Sequence, residues 1–83
     1  LPEDAEAYEN CLYNLVCYLC ISNKELQDIQ DAIDRIVKLN DKSVAAGLFS
    51  ELMADEDVHS HSKKEEVLKL LQLAFNKVQK ANL

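Results

Sequence analysis

Apolar positions recur every three or four residues along most of the chain, the spacing of a helix face rather than the alternation of a strand. In the first run Tyr8, Leu12, Leu15, Val16 and Leu19 share one side, while Cys11, Tyr13, Cys17, Tyr18 and Cys20 fill the others. Pro2 suits a first helical turn, and Glu3, Asp4 and Glu6 sit at the positive end of the helix dipole, so a helix is predicted over 3–21. A helix apolar on nearly every side is either central in its bundle or covered by another chain.

Ser22-Asn23-Lys24-Glu25 has the capping-box spelling and predicts the start of a second helix, over 23–39. Leu26, Ile29, Ile33, Ile36 and Val37 form its single apolar stripe. The polar joint from Asn40 to Ser43 offers two N-caps, and Val44, Ala45, Leu48, Phe49, Leu52 and Met53 predict a third helix over 44–54. Gly47 inside it costs up to about 1 kcal/mol relative to Ala, a cost easiest to understand if another helix crosses close by. Residues 55–61 are polar and nonperiodic and read as the longest loop. A second capping box, Ser62 to Glu65, then opens a fourth helix over 62–80, whose broad apolar face runs from Val67 to Val78. The pattern predicts an all-α chain, a compact four-helix bundle or an orthogonal helical domain, with residues 1–83 forming a single domain.

Composition narrows the function classes. The 83 residues hold 15 acidic and 9 basic side chains, for a net charge of −6, and one Gly and one Pro exclude linker-like and collagenous chains. The charge is uneven: residues 1–62 carry 4 basic and 13 acidic side chains, a balance of −9, whereas residues 63–83 carry 5 and 2, a balance of +3. No basic stripe interleaved with aromatics exists, so nucleic acid is not an expected partner. The longest nearly apolar run, Cys11 to Ile21, is 11 residues, against about 20 for a membrane span. Acidic residues precede that run where a signal peptide has basic ones. The chain begins at Leu1, which leads us to expect a processed chain or a domain cut from a longer one. Three cysteines within ten residues make a poor disulfide framework, so reduced thiols in an intracellular, cytoplasmic setting are expected.

Several constellations have residue types suited to chemistry. Cys17 and Cys20 have the spelling of a redox dithiol, but no strand precedes them and no cation adjoins them to favour thiolate. Adding His59 and His61 gives zinc-ligand types at a spacing that departs from the usual pattern. Asp55, Asp57 and Glu66 occupy positions 1, 3 and 12 of an EF-hand-like loop, 55–66, which makes a calcium-responsive helical domain the alternative function. Position 6, where that loop needs Gly, is Ser60, and Ser62 competes as a helix cap. His59 and His61 beside acidic residues also suggest a pH response. With one Gly a phosphate cradle is excluded, and no nucleophilic triad or oxyanion hole can be drawn, so no enzyme and no cofactor are expected.

What remains is the apolar excess of the first helix. Tyr8, Tyr13 and Tyr18 advance about 140° around the axis at each step, so they cannot all enter one core. These three are the expected interface residues of a non-catalytic protein-interaction or assembly module that binds another protein or itself.

Overall fold

The computed structural model describes residues 2–81. They form five helices, α1 (Pro2–Ile21), α2 (Leu26–Val37), α3 (Lys42–Ala54), α4 (Glu56–His59) and α5 (Lys64–Ala81), with no strand among the described residues. The chain is all-α, and the fifth helix was not expected.

Where each helix starts and stops follows from its end groups. Asn23 adopts a left-handed φ of 55°, and the Lys24 N–H reaches back to the Leu19 carbonyl (2.9 Å) while the Asn23 N–H reaches Cys20 (3.0 Å). This is a Schellman closure, which satisfies the orphan carbonyls of α1. It takes Ser22 as part of the exit of α1, with its own N–H on the Tyr18 carbonyl, so the expected first capping box does not form. Helix α2 therefore begins at Leu26, behind Glu25, whose side chain makes no cap bond. It stops at Val37, where Lys42 Nζ donates to the last carbonyl. Asp41 caps α3 by accepting from the Ser43 and Val44 N–H groups, starting that helix two residues before the expected Val44.

The expected loop 55–61 is instead built around α4. Asp55 accepts the Asp57 N–H at 2.9 Å and starts a single turn whose Val58 is fully buried. An N-cap carboxylate followed by acidic residues at the positive helix end is a start signal. The second capping box also fails to form: the Ser62 N–H donates to Asn23 Oδ1 (2.9 Å), and the Lys63 N–H is taken by His61 Nδ1 (2.9 Å). Gly47 needs no crossing helix, because a Cβ built on it meets nothing within 4 Å.

The helices form one core, with α2, α3 and α4 each touching both long helices. α1 packs against α2, α3 and α4, and α5 packs against the same three, but α1 and α5 make no contact with each other. Phe49, Ile29, Ile33, Ile36, Leu52 and Leu71 are the largest of its fully buried side chains. With 20 residues α1 is about 30 Å long, close to the longest dimension of the molecule, 35 Å.

Candidate functional site

Leu12, Val16 and Cys20 turn one side of α1 into the core. The opposite side leaves Tyr18 and Ile21 each 58% exposed, one turn apart, and Tyr8 52% exposed on its flank. Exposed Cys11 and half-buried Leu15 lie between Tyr8 and Tyr18, so the apolar surface is continuous along the helix. From Asn10 to Asn23 the chain contains no charged residue. A solvated helix face ordinarily carries charge, and between Tyr8 and Ile21 the exposed polar positions of this one are the uncharged Asn10 and Asn14.

Tyr13 does not belong to that face. It points to the far side, where its hydroxyl donates to Asp55 Oδ2 at 2.6 Å across 42 residues of chain. Asp55 thus joins three helices: it ends α3, caps α4 and anchors the phenol of α1. The Tyr13 hydroxyl, followed by the Asp57 N–H, holds the Asp55 carboxyl below the usual carboxylate range. Burial, then the bond to Asp55, raises the Tyr13 hydroxyl above its ordinary value.

Cys17 meets the same carboxylates. Its sulfur and one oxygen each from Asp55 and Asp57 lie within 4.8 Å of one another, the trio of potential metal ligands found among the described residues. Burial and then the Asp55 and Asp57 charges push the Cys17 thiol up to about 12 and Cys20 up to about 11. A thiol held neutral is a poor nucleophile and metal ligand. Cys17 and Cys20 are both free and buried, whereas Cys11 is free and exposed.

The remaining expected ligands point elsewhere. Glu66 is exposed on the first turn of α5 and is not part of that trio. Within 55–66 the backbone is occupied by α4 and the start of α5, and Asp55 already serves Tyr13 and Asp57. His59 Nε2 lies 2.8 Å from the Met53 carbonyl. His61, 5% exposed, has Nε2 2.7 Å from the Lys24 carbonyl while Nδ1 accepts from Lys63. Those two partners require the neutral ring with its proton on Nε2. The cysteines and histidines therefore do not form one site.

Two apolar residues outside the expected interface stand out of the core, Ile21 and Leu73. Ile21 closes the last turn of α1, and Leu73 sits between Gln72 and Ala74 on the flank of the broad α5 face, so their positions on the helical wheel were the available signal. No helix among the described residues is long and apolar enough to cross a membrane. Comparison with protein-family models, with curated proteins and with solved structures finds no match to this chain.

Proposed function

We propose that this chain is a non-catalytic interaction or assembly module, working in a reducing intracellular compartment, that docks a protein through the outward face of α1. The observation that carries the reading is the uncharged, apolar outward side of that helix, with Tyr18, Ile21 and Tyr8 standing free of the core. Tyrosine suits such a surface because it offers a large apolar area with a polar tip. A contiguous apolar face with polar surroundings differs from the singly scattered apolar residues normal on any surface. The non-catalytic reading is supported by the buried thiols, held protonated, and by the buried imidazole, whose two nitrogens are both committed to backbone groups. Free cysteines fit a reducing compartment.

The test is the double substitution Tyr18→Glu with Ile21→Glu. Both positions are exposed, so helicity and thermal stability should stay within about 0.5 kcal/mol of the parent. Placing two carboxylates on the face should abolish association, read as the loss of a photo-crosslinked adduct formed from position 11 in cells. An unchanged adduct with the helical fold intact removes this face from consideration.

A further inference from the structure

We propose that His61 is a proton-operated latch: as a neutral ring it fastens the turn between α1 and α2 to the entry of α5, and on taking up a proton it lets both go. Among the described residues α1 and α5 do not touch as helices, so the end of the one and the start of the other are joined through this corner. The joint is built from three bonds. His61 Nε2 donates to the Lys24 carbonyl (2.7 Å) across 37 residues, the Ser62 N–H donates to Asn23 Oδ1 (2.9 Å) across 39, and His61 Nδ1 accepts the Lys63 N–H (2.9 Å). The backbone on either side leans on the same residues. Lys24 closes α1 through its N–H on Leu19, and the His61 carbonyl accepts the Lys64 N–H at the start of α5.

The ring does this in one protonation state only. Nδ1 faces a donor and Nε2 faces an acceptor, and the neutral tautomer with its proton on Nε2 is the form that serves both. An imidazolium carries a proton on each nitrogen, so its Nδ1–H would meet the Lys63 N–H donor to donor. Because the two nitrogens share one rigid plane, the ring cannot turn Nδ1 away without drawing Nε2 off the Lys24 carbonyl. The charge would also be enclosed, since His61 is 5% exposed, and a buried charge without a counter-ion is costly.

The surroundings offer a cation little. Lys24 and Glu25 on the turn after α1 line the same small polar hollow as His61, and Lys63 lines it from the α5 side. Glu25 is exposed and screened by water, while the two lysines oppose a further positive charge. From α4, Asp57 lies with Cys17 and Asp55, and the His59 ring sits on the Met53 carbonyl. The Cys17 and Cys20 thiols of α1 are held protonated, and Lys64 and Glu65 of α5 are exposed. An imidazole free in water takes up its proton at about pH 6.5, so the open corner gains a proton that the closed one refuses. Below that pH each further unit favours the open corner by up to about tenfold. The last turn of α1, which bears Ile21, ends at this corner, so acid loosens that end of the outward face. That consequence rests on the reading of α1 as an interface; the latch does not.

Solution NMR of the full 83-residue chain tests the latch, and because it needs no docking partner its failure is distinct from a failure of the α1 interface. Long-range proton–nitrogen spectra report which ring nitrogen carries the proton, and amide hydrogen exchange, corrected for the intrinsic rate, reports each bond. At about pH 7.5 the His61 ring should be neutral with its proton on Nε2, and the Lys63, Ser62 and Lys24 amides should be protected. Lowering the pH to about 5 should raise the opening of those three amides by about tenfold or more, while amides beside Phe49 in α3 keep their protection. His61→Gln retains a donor and an acceptor but takes up no proton, so its corner should open equally at both pH values. His59→Gln, at an exposed ring, should respond like the parent. The latch is overturned if the proton sits on Nδ1 at the higher pH, if Lys63 stays equally protected in the parent, or if His61→Gln shows the same acid opening. Should His61→Gln not fold, the parent decides alone: an opening of Lys63 that does not follow protonation of the His61 ring overturns the proposal.

Discussion

Tyr13 lies on the covered side of α1, where its hydroxyl donates to Asp55. Replacing Tyr13 by Phe removes the donor while keeping the ring. The carboxylate retains the Asp57 N–H and partial access to water, so the cost at neutral pH should be about 1 kcal/mol, or a Tm lower by about 4–8 °C. The pH dependence has a definite sign. The folded Asp55 carboxyl titrates below its unfolded value, so its contribution is present above the ordinary carboxylate pKa of about 3.9 and is lost as pH falls through the lower folded value. In the Phe variant the stability lost between about pH 5 and pH 2 should be smaller than in the parent. Equal acid slopes in thermal melts of the two proteins would show that the hydroxyl contributes nothing to holding the carboxylate. Nothing in the sequence announces this pair, because 42 residues separate the partners and their approach depends on how α1 lies across the α3–α4 corner.

At the scale of an element, the helical stretches were legible and their ends were not. The 3.6-residue pattern places the apolar stripe of α2 on Ile29, Ile33 and Ile36, all fully buried. Both Ser-x-x-Glu spellings misplace helix starts, since long-range and turn bonds take the groups they would have used. Ser62 gives its N–H to Asn23, and Ser22 is absorbed by the closure of α1. Asp55 passed for a loop residue because one turn of helix carries no periodicity, with Val58 as its lone buried anchor. Asn23 is the hinge of this corner, since its left-handed backbone ends α1 while its side chain fastens the chain before α5. Asn23→Gly relieves the backbone but loses the side-chain bond, whereas Asn23→Ala loses the bond and keeps a Cβ in a left-handed conformation. Both should destabilise, and Ala should cost about 1 kcal/mol more than Gly. Denaturant melts that rank Gly below Ala would refute this account of the corner.

On the scale of the whole molecule, a helical chain of 83 residues has little interior to spare. The sequence made the helical class legible and suggested that the apolar content of α1 exceeds what one core can use, but it could not show which side of α1 would be left over. That depended on α2, α3 and α4 covering the side bearing Leu12, Val16 and Cys20. The same arithmetic makes the interior brittle. A domain of this length has a total stability of about 4–12 kcal/mol. Phe49 is the largest fully buried side chain and sits on α3, the helix that packs most extensively on α5. Phe49→Ala should cost about 3–5 kcal/mol, from lost transfer energy and from the void left in the core. That is a quarter or more of the net stability. Because α3 joins both long helices, the loss should appear as one cooperative transition at lower denaturant, with α1 and α5 melting together. If α5 melted separately while α1 and α2 kept their helicity, α3 would not be the element that couples α1 to α5.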